Sequence, residues 1–397
     1  MSDRIFVTGM GIISALGKNL PENFDALSHG RSGIGPIRLL DTIHKGNIPV
    51  AEVPFSNEEL AAMLSLQNID NLTRTSLLAI KAVKEAVDTA QIKDFQGTGL
   101  ISANTVGGMD KSEQFYYDFL KLKKVNPFFE THDCADSTEK VADYFGIDEF
   151  MTTVSTACSS ASNAILLGAR LIQSSMLKRV IAGGTECLTK FHLNGFNSLK
   201  ILDNEPCKPF DKNRAGINLG EGAAYIVLES EELAASHDKD YFFELTGWGN
   251  ACEAYHQTAS SPEGDGAYLA MQKALQMSGL KPSDIAYINA HGTGTDNNDI
   301  SEGRAIERLF APDIPLVSST KPYTGHTTSA AGTVEAIISL LGMKNNMVFP
   351  NLNFKEQMPE LNFKPVDKLL TNIQLNHVLS NSFGFGGNNT TLIFSKV

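Results

Sequence analysis

One cysteine, two histidines and a glycine-rich turn carry the residue types of thiol chemistry in this chain. Each stands where an apolar run gives way to small polar residues. Cys158 lies in Val154-Ser155-Thr156-Ala157-Cys158-Ser159-Ser160, after a strand-like run. It precedes Ala161, Ala164, Ile165, Gly168, Ala169 and Ile172, which recur at helical spacing. The cysteine thus falls at or just before a helix N-terminus, where unpaired N–H groups and the positive end of the dipole favour thiolate over thiol. Free cysteines are more often inert core residues, so partners elsewhere in the chain must decide its role.

Two such partners follow the same strand-then-turn logic. Ile285 to Ala290 reads as a buried strand ending at His291-Gly292-Thr293-Gly294-Thr295. Pro315 to Ser319 is a shorter strand ending at Thr320-Lys321-Pro322-Tyr323-Thr324-Gly325-His326, after which Ser329 to Gly332 opens a helix through Val334, Ala336, Ile337, Leu340 and Leu341. Polar loops leaving parallel strands gather at the carboxyl edge of a sheet, where ligands bind. A fourth element, Ser380-Asn381-Ser382-Phe383-Gly384-Phe385-Gly386-Gly387-Asn388-Asn389, precedes an alternating strand from Thr390 to Val397. Alone it reads as a hairpin turn. Its glycines also allow a nest of N–H groups, and Phe383 and Phe385 on that hinge suit a lid over an apolar pocket.

In this order the four motifs resemble those of the β-ketoacyl-acyl carrier protein synthases, elongating condensing enzymes of the thiolase-like superfamily, in their synthase I/II branch. The resemblance runs from Phe6-Val7-Thr8-Gly9-Met10-Gly11 to the terminal strand. It also covers Pro127-Phe128-Phe129, Ala182-Gly183-Gly184-Thr185-Glu186, Pro209 to Arg214 and Leu219-Gly220-Glu221-Gly222. It implies an α/β thiolase-like duplicated five-layer α-β-α-β-α fold and decarboxylative condensation of an acyl chain held on Cys158 with malonyl-acyl carrier protein. His291 and His326 match the pair that promotes loss of CO₂, Lys321 the family's active-site lysine, and Glu335 the carboxylate that orients it. The backbone N–H groups of Cys158 and Phe385 match the hole for the thioester oxygen, and Phe385, with Phe383 beside it, matches the gate. Thr293 and Thr295 match the hydroxyls that bind the phosphopantetheine arm, which arrives on the carrier protein, so neither metal nor free cofactor is implied. Read without the resemblance, Lys321 is a loop residue and the two threonines are turn hydroxyls.

Composition is compatible with this. The 397 residues, 42% hydrophobic, can bury a large core. No apolar run is long enough to span a bilayer and none reads as a signal peptide. Five cysteines point to a reducing, cytoplasmic setting. Cys134, Cys187, Cys207 and Cys252 lack zinc-ligand spacing, and His132-Asp133-Cys134 reads as a fragment without catalytic role. A net charge of −12 disfavours nucleic acid.

Acidic carrier proteins require a local basic patch. Synthases of this branch place Arg and Lys before the helix that here starts near Asp70, whereas this chain has Ser65 to Asp70 with Arg74 further on. Lys208, Lys212, Arg214 and the cluster Lys121, Lys123 and Lys124 are the alternative docking candidates. The segment from Phe115 to Asp136 is more polar than the family norm, which argues against saturated long-chain specificity. The loop after Leu202 is short, and the glycines are followed by Asn-Asn in place of Thr-Asn.

Two halves are expected, residues 1–240 with the cysteine and 241–397 with the histidines, and Gly220 to Leu228 echoes Gly386 to Phe394. The resemblance implies a homodimer, with a heterodimer as the alternative. Besides fatty acid elongation, the sequence leaves open elongation in a specialised polyene or polyketide pathway. Cys158 weighs against a non-catalytic chain-length partner, and His291 with Gly325-His326 against a thiolase or initiating synthase.

Overall fold

The computed structural model describes residues 4–122, 127–236 and 243–397. Its strands in chain order are β1 (Ile5–Ser14), β2 (Thr98–Ala103), β3 (Phe150–Val154), β4 (Arg179–Glu186), β5 (Gly222–Ser230), β6 (Phe243–Cys252), β7 (Tyr287–Asn289), β8 (Leu316–Ser318), β9 (Met347–Val348), β10 (Leu370–Thr371), β11 (His377–Phe383) and β12 (Asn388–Lys396). Ten of them form one sheet in the order β3-β2-β4-β5-β1-β6-β12-β11-β7-β8, and β9 pairs with β10 separately.

The duplication is visible in that order. Outward from the β1–β6 joint, the first half reads first, fifth, fourth, second, third strand, and so does the second half. In each half two antiparallel pairings are followed by two parallel ones. The echoing segments are β5 and β12, which occupy the same place in their halves. The joint itself is short, Phe6 opposite Glu244 and Val7 opposite Phe243. The expected boundary at residues 240 and 241 lies outside the described residues.

Helices supply the remaining layers. Arg74–Ala90 covers β1 and β5, and Asp265–Ser278 covers β6 and β12. Between the half-sheets lie Ser160–Gln173 and Ala331–Asn345, packed on each other and on strands of both halves. Ala331–Asn345 is buried from Ala331 through Met343, the all-round apolar pattern of a helix enclosed by protein.

Several strands run further than their sequence predicts, β1 and β6 among them. β1 is expected over Arg4 to Val7 and β6 to end at Trp248, because glycines interrupt both patterns. Those glycines mark close helix approach instead. A Cβ on Gly11 would stand 2.1 Å from the Ala82 carbonyl, and one on Gly249 2.2 Å from that of Ala270. The helix expected near Asp70 begins at Arg74, capped by Thr73, whose side chain accepts from Ser76 N.

Candidate active site

Cys158 sits between the end of β3 and the helix Ser160–Gln173, as its motif predicts. Ala157 before it adopts φ +54°, a costly conformation for a residue with a Cβ. Ser160 holds that turn: its Oγ donates to the Ala157 carbonyl at 2.6 Å and accepts from Thr156 N at 2.8 Å. The thiol is 6% exposed. Burial pushes it up to about 11, against the opposing pull of Lys321 and the Phe385 N–H. The helix terminus favours the thiolate, but desolvation of the sulfur outweighs it, and a base must take the proton.

His326 Nε2 lies 2.9 Å from Cys158 Sγ. Burial, then Lys321, lowers the pKa of His326 well below the usual imidazole value, and the same causes act on His291. Both rings are neutral at pH 7. They meet edge to face with centroids 5.5 Å apart. Sγ and one nitrogen of each ring fall within 4.8 Å of one another, donor types that serve thiol chemistry and could also hold zinc.

Lys321, at 0% exposure, is no loop residue in solvent. It opens a buried turn of helix, Lys321–Thr324, and its ammonium bonds Glu335 Oε1, the His291 carbonyl at 2.5 Å and His291 Nδ1 at 3.2 Å. An ammonium only donates, so His291 Nδ1 accepts and the ring proton is assigned to Nε2. His326 is different: among the described residues its Nδ1 has no partner, so its tautomer answers only to the contact of Nε2 with the Cys158 thiol. Glu335, buried with Lys321, is pushed up to about 7.

Two acids that sequence reasoning missed hold the His291 loop. Glu302 accepts from the backbone N–H of His291 and of Gly292, each at 2.8 Å, and from Asn381 Nδ2 at 3.0 Å. Asp299 accepts from Thr293 N at 3.0 Å and Phe210 N at 2.7 Å. Both acids stand on the helix Asp296–Phe310, which begins directly after the loop. Two acids three residues apart just after a glycine-rich turn were the available signal.

A cavity of about 280 Å³ leads to the cysteine, lined by Cys158, His291, His326, Thr293, Thr295 and Phe385 among others. Thr293 and Thr295 share a hydroxyl contact of 2.8 Å. The glycine-rich element is a β11–β12 hairpin turn, and it also carries Phe385, 36% exposed, stacked on Phe196 at 5.9 Å. Phe196 in turn meets His192 edge-on at 6.3 Å. Neither Phe196 nor His192 was singled out from sequence, though they stand four residues apart on the helix Lys190–Ser198. Phe383, expected beside Phe385 in the lid, ends β11 with its buried ring 5.9 Å from His291, so it is a wall.

The docking candidates are largely engaged. The Arg214 guanidinium is buried and donates to the carbonyls of Asp211, Thr295 and Asp296. Lys208 pairs with Glu205 and Lys212 with Glu356. Lys121 is exposed at the end of the helix Met109–Leu122, while Lys123 and Lys124 lie outside the described residues. His132 bonds Ser112 through Nδ1 at 2.8 Å, and no hydrogen bond joins it to Cys134.

Comparison with known proteins bears on the family of the whole chain. Residues 2–234 match the model of the β-ketoacyl synthase N-terminal domain and residues 242–355 that of its C-terminal domain. The chain is 32% identical to 3-oxoacyl-[acyl-carrier-protein] synthase 2 of Staphylococcus aureus and 33% identical to the protein of that name in Synechocystis sp., in each case over 99% of this chain and 98% of the relative. Among solved structures, the ishigamide ketosynthase/chain length factor superposes with a TM-score of 0.94 at 28% identity, covering all of both chains. A cysteine at the mouth of one helix and two neutral histidines from the other half of a duplicated fold, matched end to end by these relatives, place this chain in the β-ketoacyl synthase family.

Proposed function

We propose that the chain elongates acyl groups by decarboxylative Claisen condensation, giving 3-oxoacyl-acyl carrier protein and CO₂ in fatty acid synthesis. The observation that carries this reading is the meeting of Cys158, His291 and His326 at the end of one cavity behind a phenylalanine gate.

Cys158 Sγ attacks the carbonyl of an acyl carrier thioester while His326 Nε2 takes the thiol proton. The carrier sulfur leaves and recovers that proton, so Cys158 is acylated and His326 is again neutral. The oxygen that becomes negative is met by the N–H groups of Cys158 and Phe385, preorganised donors of the kind that dominate acyl transfer. A malonyl carrier then enters past Thr293 and Thr295. Its carboxyl carbon–carbon bond breaks, CO₂ departs, and the enolate oxygen receives the His291 Nε2–H and a ring N–H of His326. The enolate carbon bonds to the acyl carbon and displaces Cys158 as thiolate, which takes one proton from solvent to restore the resting thiol, while both imidazoles have only lent hydrogen bonds and stay neutral. Every step uses a thiol, two imidazoles and backbone donors, so the reading assigns no metal or bound cofactor, and phosphopantetheine comes with the carrier.

The names of the 32–33% identical relatives support acyl carrier protein as partner. Among the described residues no helix is long and apolar enough to cross a membrane; we place the enzyme in the cytoplasm on its five free cysteines. We assign a homodimer on the resemblance to the synthase family, with a heterodimer as the alternative. A second reading, elongation of polyene or polyketide chains beside a chain length factor, is favoured by the match to the ishigamide ketosynthase/chain length factor. Offering saturated and polyunsaturated acyl carriers in competition tests the two. Preference for saturated chains supports the first reading, and rejection of them in favour of polyenes the second.

A further inference from the structure

The oxyanion hole assigned above is split between segments far apart in the chain. One N–H belongs to Cys158 in the turn after β3, the other to Phe385 in the β11–β12 turn, and both act on the buried sulfur. Donors of this kind work only when held at fixed positions before reaction, so something must keep the two turns in register.

Asn388, the first residue of β12, joins them. Its Oδ1 accepts from Ser159 Oγ at 2.8 Å, Asn163 Nδ2 at 2.8 Å and Asn250 Nδ2 at 2.9 Å. Ser159 follows the nucleophile, and its Oγ lies equally 2.8 Å from the Thr156 carbonyl, so its one proton is shared between that carbonyl and Asn388 Oδ1. Asn163 Nδ2 reaches Thr156 Oγ1 at 2.9 Å. The network therefore closes around the nucleophile turn. On the other side the Asn388 carbonyl accepts from Gly384 N at 2.9 Å, which fixes the base of the turn bearing Phe385. Gly384 is itself pressed onto the nucleophile turn, where a Cβ would stand 2.9 Å from the Thr156 carbonyl. Another side-chain link between the segments, Ser162 Oγ to Ser382 Oγ at 2.9 Å, ties strand β11 and not the turn. Asn388 is the residue at which this chain departs from the Thr-Asn expected after the glycines. A threonine hydroxyl, one atom shorter, could not reach these donors from the same backbone.

We infer that Asn388 is a positioning residue that sets the Phe385 N–H against the Cys158 N–H. The inference rests on the synthase reading of the site. Its test compares two reactions of Cys158: transfer of an acyl group from a carrier thioester, which develops an oxyanion, and alkylation by iodoacetamide, a displacement at a saturated carbon that develops none. In Asn388→Ala, acyl transfer should fall about ten- to a hundredfold, less than the loss of a whole oxyanion donor, while alkylation, which feels the Phe385 N–H only through its pull on the thiolate, should fall about threefold at most. Asn388→Asp keeps the acceptor oxygen and should recover acyl transfer. Should Asn388→Ala fail to fold, Asn163→Ala, which breaks one of the two bonds from the nucleophile segment, should show the same selective loss at smaller size. A parallel fall of both reactions, or no fall in either, overturns the inference. A wild type that takes no acyl group on Cys158 overturns the synthase reading and this inference with it, an outcome distinct from a wild type and an Asn388→Ala that acylate equally.

Discussion

Replacing Lys321 by methionine tests how the site assigns its protons. The ammonium is fully buried and its three bonds go to Glu335, the His291 carbonyl and His291 Nδ1. Methionine has similar length and donates nothing. Two consequences follow, and they can be separated. Glu335 is left buried without its cation, and breaking such a pair costs about 3 kcal/mol or more. With an unfolding entropy near ~2.1 cal/mol/K per residue, this corresponds to a Tm lowered by roughly 4 °C. The carboxyl, already pushed up to about 7, rises further, so the penalty grows as pH rises and fades where the group is protonated. Independently, His291 loses the donor that keeps its proton on Nε2. Losing that N–H toward the enolate should cost about 10²–10³-fold in CO₂ release from malonyl carrier, the scale of one oxyanion donor. Adding Glu335→Gln removes the unpaired acid and should restore most of the Tm without restoring decarboxylation. A double variant releasing CO₂ at the wild-type rate would refute the tautomer argument.

The two histidines should differ. His291→Ala abolishes decarboxylation while Cys158 still accepts acyl groups, whereas His326→Ala also slows acylation because its Nε2 faces the thiol; equal acylation in both variants contradicts the proton path. Phe385→Ala keeps the backbone N–H but removes the ring stacked on Phe196, so iodoacetamide should reach Cys158 several-fold faster while the maximal rate of acyl transfer changes little; an unchanged alkylation rate refutes the gate. Glu302 is pushed up to about 7 by burial, above the usual glutamate value of about 4.3, so its contribution to stability is whole below that value and is lost as pH rises through about 7. The loss is of order 3 kcal/mol. In Glu302→Gln this part of the slope of urea stability between pH 5 and 8 should vanish, and a persistent slope assigns it to other groups.

Much of the site was legible because strand-then-turn punctuation places Cys158, His291 and His326 at sheet ends without knowledge of packing. The duplication was legible for a similar reason, since β5 and β12 keep the same glycine-then-apolar pattern. What periodicity cannot see is which side chain closes over which loop. Asp299 and Glu302 look like solvated acids on a helix until the His291 loop folds onto them, and Lys321 looks exposed until Glu335 meets it from another helix. Arg214 looks available for a partner, yet it is spent on carbonyls of its own chain. The thiol is a similar case: the helix N-terminus is visible in sequence, and the desolvation that outweighs it is not. Asn388 stood out only as a departure from a motif, and its role needed the distances to Ser159 and Asn163.

The central claim is that Cys158 carries the acyl chain. Intact-mass measurement of wild type and Cys158→Ala, each incubated with a panel of saturated and polyunsaturated acyl carrier thioesters, addresses it directly. The account predicts an acyl-sized mass increase in wild type and none in Cys158→Ala. An adduct that survives in Cys158→Ala, or none in wild type with any donor, would contradict it.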